Sequence, residues 1–358
     1  MSQGMPKRRV AVALSGGVDS STTALLLHEA GYQVIGITMR LWSEEKTTPS
    51  GRSQSSYPTQ DIHDAEQICL TIGIPFHIIN LENEFKQYVI DRFCQEYIQG
   101  RTPNPCIACN QHIKFGFLLQ QAISLGADYL ATGHYARIEY FNGTYHLLKG
   151  IDSNKDQSYM LYTLGQDKLC HLLFPLGNYR KTEVRELTQQ KGLPVASKPS
   201  SQDICFVTTD YGTFLRQHSI TTPGEIVNRQ GKVLGKHEGM AFYTVGQRHG
   251  LGLTGSKPLY VMKIEPDTNK IIVGSKEDLC SSQFTASNVN WVLGKPPAKP
   301  ITVAVKIRYR SPEIAATIYP ELDSAKIMFH QPQRAITPGQ AAVFYQDSEV
   351  IGGGTIEN

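Results

Sequence analysis

The chain has 358 residues, more than a single hydrophobic core comfortably fills, so two or three domains are expected. Its 40% hydrophobic and 19% charged residues are ordinary for a folded protein, and no run of about 18 apolar residues offers a membrane span. A net charge of +3 neither demands nor excludes nucleic acid, and seven cysteines, an odd number in a long chain, argue against a disulfide framework.

The N-terminal MSQGMPKRRV is basic but runs straight into an apolar strand instead of a signal-peptide core, so a cytoplasmic location is expected. Residues 9–14, RVAVAL, read as a buried strand, followed by a glycine turn and a helix from about Asp19 to Ala30. A second strand covers 34–39, VIGITM. Residues 43–58 are polar and rich in Ser, Thr and Pro, which predicts a loop. Then come a helix over 61–73, a strand at 76–80, a helix over 82–98, a helix over 114–125 and a strand at 129–132. Strands alternating with helices predict an α/β domain with a parallel sheet, expected over residues 1–206. Residues 207–280 are glycine-rich with short strand-like pieces, GMAFYTV and YVMKI among them, and form a small central β-rich domain. From 281 to 358 only strands are visible, TVAVKIRYR, AATIY, AKIMFH, AAVFYQ and EVIGGGTI, which suggests a C-terminal β-barrel.

The first turn, Ala13-Leu14-Ser15-Gly16-Gly17-Val18-Asp19-Ser20, joins a strand to a helix. A helix N-terminus offers unpaired N–H groups and the positive end of its dipole, which suits a phosphate. Gly16 and Gly17 allow close approach of the backbone, and Ser15 and Ser20 add hydroxyl donors. The Lys-Ser/Thr of a P-loop is absent. The SGGxDS spacing resembles the fingerprint of the N-type ATP pyrophosphatases (adenine nucleotide hydrolase-like), in which the loop holds the pyrophosphate of ATP. Met39, at the carboxyl end of the second strand, would line the same crevice or fill the core.

Residues 101–110, RTPNPCIACN, read as a rigid polar loop restricted by two prolines. The pair Cys106 and Cys109 fits a redox or persulfide couple, half of a metal site, or a chance pair of buried thiols; a zinc site would need a second pair, and none exists. Cys69, Cys94 and Cys170 sit among apolar residues and read as buried. Cys205, between Ile204 and Phe206, gains interest if the fold brings it near Cys109, where one thiolate would carry a persulfide and the other resolve it. The same three thiols also suit a 4Fe–4S cluster with one open iron. Between Lys295 and Arg310 lie five basic residues and no acidic one; three of them, Lys306, Arg308 and Arg310, fall in a predicted strand, KIRYR, and face outward.

With ALSGGVDS, GRTPNPCIACN, ATGHYAR, KDQSYML, SSQDICF, TVGQRHGLG, KIRYR and PGQ in order, nearly the whole chain resembles the tRNA-specific 2-thiouridylases, the MnmA family. The resemblance implies a tRNA-uridine 2-sulfurtransferase that uses ATP and Mg²⁺. It activates the C2 carbonyl of the wobble uridine, in tRNAs for Lys, Glu and Gln, by adenylation. It implies that Cys109 is the nucleophilic or disulfide-forming cysteine and that Cys205 bears the persulfide. A cysteine desulfurase or sulfur-relay protein would be the donor, and no membrane partner is expected. Gly133 matches an ATP contact; Asn104, Pro105 and Cys106 match the stretch touching the target base. His134, Lys155, Asp156, Gln157, Arg308, Tyr309 and Gln340 match tRNA contacts. Cys106 stands where the best-known form of the family has Asp as a general acid/base; a thiol of lowered pKa can shuttle the proton instead. Two other readings are another ligase of the ATP pyrophosphatase fold, which would lack the PNPCxxCN stretch and the barrel, and a non-catalytic RNA-binding protein holding a metal.

Overall fold

The structure is a computed structural model that describes residues 8–42, 44–47, 53–56, 59–198, 204–207, 211–218, 221–254 and 257–357. The predicted loop at 43–58 falls partly outside them, as do Ser200 to Asp203 of the SSQDICF segment. The chain forms two compact units. One comprises residues 1–88, 107–203 and 348–350; the other comprises 89–106, 204–347 and 351–358.

In the first unit, β1 (Arg9–Ala13), β2 (Gln33–Arg40), β3 (Glu44–Thr47), β4 (Ser53–Ser56), β5 (Phe76–Asn80) and β6 (Tyr129–Ala131) are followed by β7 (Ala136–Phe141), β8 (Thr144–Lys149) and β9 (Leu172–Leu173). Five of them make a parallel sheet in the order β5-β2-β1-β6-β9. Val10, Ala11 and Val12 are fully buried at its centre, because a central parallel strand is covered on both faces. The helices Val18–Glu29 and Thr59–Ile72 supply Ala24, Leu27, Ala65 and Cys69 to the same core. Burial pushes the Cys69 thiol up to about 12, as expected of an inert core cysteine. Cys94 is buried as well, whereas Cys170 is only half-buried, at the surface end of a short helix, which corrects its reading as core.

One part of this unit differs from expectation, and another had no predicted element. Residues 44–47 and 53–56 pair as an antiparallel ladder inside the stretch read as a loop. Residues 136–149 fold as the hairpin β7–β8, turned by Asn142 and Gly143, both at positive φ, as a two-residue hairpin turn requires.

The second unit contains β10 (Gly224–Asn228), β11 (Val233–His237), β12 (Tyr260–Glu265) and β13 (Lys270–Gly274), a four-stranded sheet in the order β11-β10-β13-β12. Its core is Ile226, Val261, Ile271 and Val273, with Tyr243 and Leu251 packed on them. The predicted strand GMAFYTV is instead a 3₁₀ turn over Met240–Phe242. Six further strands, β14 (Cys280–Trp291), β15 (Ile301–Lys306), β16 (Ile314–Pro320), β17 (Ser324–Arg334), β18 (Ala341–Gln346) and β19 (Glu349–Ile356), follow in the order β14-β17-β16-β15-β18-β19. Pairing of β14 with β19 closes them into an antiparallel barrel. Its interior takes every second residue: Val303 and Val305, Ala316 and Ile318, Ala325, Ile327 and Phe329. The expected sequence of a parallel-sheet domain, a central β-rich domain and a barrel is present.

Candidate active site

The glycine turn follows β1 at the carboxyl edge of the parallel sheet, where ligands of such sheets bind. Leu14 N donates to Ile37 O (2.8 Å), and Thr38 Oγ1 donates to Leu14 O (3.0 Å), so β2 fixes the strand end. Ser15 N donates to Ser20 Oγ (3.1 Å), folding the loop over the first turn of the helix Val18–Glu29. Gly16 sits at φ +67°, and a Cβ there would lie 2.5 Å from Asp61 O. Gly133, from the segment after β6, faces the start of the same helix; a Cβ on it would lie 3.0 Å from Ser20 N. The backbone around this helix terminus is therefore bare and closely approached, as anion binding requires. Met39 is half-buried near the end of β2.

Three side chains not singled out by their sequence surround the loop. Lys198 Nζ donates to Gly16 O (3.0 Å) and pairs with Asp61 (3.2 Å) and Asp64. Burial opposes the charge of Lys198, but the bonds to Asp64 and Asp61 outweigh it and hold the ammonium above its ordinary value. Tyr135 Oη and Lys181 Nζ both donate to Asp19 Oδ1, at 2.7 and 2.6 Å. Burial and the neighbouring Asp19 push the Tyr135 hydroxyl far up, so it stays protonated and donates.

The segment 101–110 is only partly a loop. Asn104 Oδ1 accepts from Cys106 N (3.1 Å), and Pro105 opens a short helix, Pro105–Ala108, that runs into a π-helix, Cys109–Leu118. Asparagine as cap and proline at the first helical position make a helix start, which corrects the loop reading. Cys106 is exposed and Cys109 is buried, 8% exposed. In the following residue, Asn110 Nδ2 donates to Met160 O (3.0 Å). Cys205 is exposed, while Phe206 beside it is buried against Phe93 and Phe214. Cys109 belongs to the first unit, Cys106 and Cys205 to the second. Among the described residues, no three His, Cys, Asp or Glu side chains gather as a metal-ligand set.

Comparison with known proteins is decisive here. A family model described as a tRNA methyl transferase HUP domain matches residues 8–209, one described as a tRNA methyl transferase PRC-barrel domain matches 212–275, and one described as an aminomethyltransferase beta-barrel domain matches 281–356. The tRNA-specific 2-thiouridylase MnmA of Magnetococcus marinus is 49% identical over 98% of this chain and 99% of its own length. Those of Moorella thermoacetica and Carboxydothermus hydrogenoformans are 50% and 46% identical, over 97% and 98% of this chain and 99% and 98% of their own lengths. The chain belongs to the tRNA-specific 2-thiouridylase family.

Several residues that the thiouridylase resemblance links to tRNA have structural partners. Thr102 N donates to Pro338 O (2.8 Å), and Gln340 Nε2 donates to Thr102 O (2.7 Å), so the PGQ segment holds the Thr102 peptide on both sides. Arg101 is fixed by Glu357 (2.6 Å) and Glu96 (2.7 Å). Asp156 Oδ1 accepts from Gly150 N (3.0 Å) and Ser158 N (3.1 Å), and Gln157 Oε1 accepts from Tyr135 N (3.0 Å). Lys155 has no side-chain partner among the described residues. Strand β15 ends at Lys306, and 307–310 form a bend and turn; KIRYR is therefore not a continuous strand with three outward cations. Arg308 is exposed and its guanidinium donates to Arg334 O (3.3 Å) and Ala335 O, while Tyr309 is half-buried in the turn.

His134 is buried, its Nδ1 2.6 Å from Thr132 Oγ1, with its ring between Phe115 and Phe174. Burial, aided by Lys114, holds its pKa well below the ordinary value, so it is neutral in the folded protein. The unfolded chain takes up a proton near pH 6.5 that the folded one refuses, so stability rises with pH through this range. Urea unfolding is expected to show stability falling as the pH drops below about 6.5, and less steeply in His134→Asn. Equal slopes in both proteins would contradict this.

No helix among the described residues is long and apolar enough to cross a membrane.

Proposed function

We propose that the protein is an ATP-dependent tRNA-uridine 2-sulfurtransferase that converts the wobble uridine of tRNAs for Lys, Glu and Gln to 2-thiouridine. The observation that carries this reading is the bare helix start at Ser15–Ser20, approached by Gly133, in a chain half identical to curated 2-thiouridylases over its full length. Uridine C2 is a poor electrophile. Attack of its carbonyl oxygen on the α-phosphate of ATP expels pyrophosphate and makes AMP the leaving group. The N–H groups after Ser15 would stabilise the charge that develops on the pyrophosphate.

Mg²⁺ fits this loop in its usual manner, through one carboxylate and the phosphates, because Asp19 Oδ2 has no hydrogen-bond partner among the described residues. Bound there, it would neutralise phosphate charge. The route proposed uses the thiols of Cys106, Cys109 and Cys205 alone. The terminal sulfur of a Cys205 persulfide attacks C2, and AMP leaves with the former carbonyl oxygen. The Cys109 thiolate then attacks Cys205 Sγ. The sulfur–sulfur bond breaks, both its electrons stay with the thiouridine sulfur, and a Cys109–Cys205 disulfide remains for an external thiol to reduce. Cys106, exposed next to the target-base stretch, is suited to proton transfer. The sulfur arrives from a persulfide-carrying protein such as a cysteine desulfurase or relay protein. The tRNA meets Asn104, Pro105, Cys106, Lys155, Asp156, Gln157 and the turn at Arg308 and Tyr309; Gln340 holds the Thr102 peptide beside Asn104, and His134 is buried between Phe115 and Phe174.

The test is thiolation of a tRNA transcript with a persulfide donor, with and without ATP, by wild type and Cys205→Ser. ATP-dependent 2-thiouridine with wild type only is expected. Thiolation without ATP, or at the wild-type rate by Cys205→Ser, would contradict the reading.

A further inference from the structure

Asp19 lies in the first turn of the helix after the glycine loop, and two side chains distant in the sequence converge on one of its oxygens. Tyr135 Oη and Lys181 Nζ both donate to Oδ1. Lys181 is only 9% exposed, so its ammonium has given up most of its water for this contact. A surface lysine would neutralise Asp19 without that cost. Two donors on one oxygen do something a single cation does not: they hold the carboxylate in one orientation, with Oδ2 turned away from both.

The main chains of the same two residues are fixed to the turn at 152–157. Tyr135 N donates to Gln157 Oε1 (3.0 Å), and Gln157 N donates to Tyr135 O (2.9 Å). Lys181 N donates to Asp152 Oδ2 (2.9 Å). The turn is itself stiff, because Asp152 Oδ1 accepts from Asn154 N (3.1 Å) and Asp156 accepts from Gly150 and Ser158. It cannot shift as a body without pulling on both donors of Asp19. Gly150 leaves no slack, since a Cβ there would lie 2.8 Å from Tyr135 O.

We propose that Tyr135 and Lys181 are positioning residues that tie the Asp19 carboxylate to the 152–157 turn, so that tRNA on the turn and ATP at the glycine loop bind with coupled affinities. The inference rests on the reading above, in which Lys155 and its neighbours meet tRNA. Its consequence is that the loop holds ATP best when the acceptor uridine is in place, which limits pyrophosphate release without thiolation. Linkage makes the effect reciprocal: ATP must tighten tRNA by the same factor.

The experiment is calorimetric titration of a non-hydrolysable ATP analogue with Mg²⁺ into full-length protein, with and without saturating unmodified tRNA transcript. The wild type is expected to bind the analogue at least about fivefold more tightly with tRNA present. In Tyr135→Phe and in Lys181→Met the ratio is expected to approach one while each ligand still binds alone. Gln157→Ala, which removes the side-chain half of the link to Tyr135 but keeps the bond from Gln157 N to Tyr135 O, is expected to lower the ratio. A wild-type ratio of one, or a full ratio in any folded variant of the three, overturns the proposal; lower melting temperatures with the ratio intact would assign these residues a structural role only. Lys155→Glu separates the two layers: unchanged tRNA affinity in that variant defeats the placement of tRNA on the turn, and the coupling with it.

Discussion

Cys109→Ser is expected to abolish tRNA thiolation, by about a thousandfold or more, while ATP and tRNA affinities stay within about twofold. Cys109 is 8% exposed at the start of the π-helix Cys109–Leu118, and a π-helical turn within a helix is a frequent mark of a functional position. Serine keeps nearly the same volume, so the helix has no packing reason to change. What it loses is a nucleophile: a hydroxyl near pH 7 neither attacks a persulfide nor leaves a reducible bond. The neighbouring hydrogen bond from Asn110 Nδ2 to Met160 O does not depend on the sulfur and keeps the segment in place. Quantifying 2-thiouridine by mass spectrometry after digestion of the tRNA checks this, and thiolation at even a tenth of the wild-type rate would contradict it.

Gly16→Val is expected to weaken ATP binding by at least tenfold, about 1.4 kcal/mol. Two effects act together. A φ of +67° costs a residue with a Cβ about 1–2 kcal/mol. The added atom would also lie 2.5 Å from Asp61 O, a backbone atom of the helix Thr59–Ile72, which cannot yield as a flexible side chain would. The loop must therefore move away from the helix and carry its N–H groups off the phosphate site. Gly17→Ala is the informative contrast. There φ is negative and the Cβ meets only Ser15 Oγ at 3.5 Å, so any loss of affinity in that variant reports close approach of the nucleotide itself. Titration of an ATP analogue measures both, and wild-type affinity in Gly16→Val would contradict the role given to the loop.

The parallel sheet was legible because its inner strands are continuous apolar runs: VAVA and VIGIT lie where the sequence puts them. Two misreadings had local signals. Asn142-Gly143 between alternating residues marks a hairpin and was passed over, and Asn104-Pro105 marks a helix start that was absorbed into a longer motif read for its chemistry. The twelve residues of β14 were missed for a different reason. Their sequence, CSSQFTASNVNW, is mostly polar, and only Phe284, Ala286 and Trp291 are buried, so no apolar run announces the strand. KIRYR failed in the opposite direction: its alternation continues past Lys306, but the backbone turns there and the Arg308 guanidinium donates to carbonyls at the end of β17, those of Arg334 and Ala335. Within the candidate site, SGGVDS could be read from its own spacing. Lys181, Tyr135 and Lys198 could not, since their value lies in contacts across 116 to 182 positions that no local pattern encodes.

Sulfur tracing tests the central claim most directly. The protein is loaded with ³⁵S as a persulfide, freed of excess donor, and mixed with tRNA and ATP in a single turnover, with peptide mapping of the product under non-reducing conditions. The account predicts that the label passes into 2-thiouridine, leaves residue 205, and is replaced there by a disulfide to residue 109. Unlabelled 2-thiouridine alongside protein that keeps its label, or labelled product with no such disulfide, would contradict it.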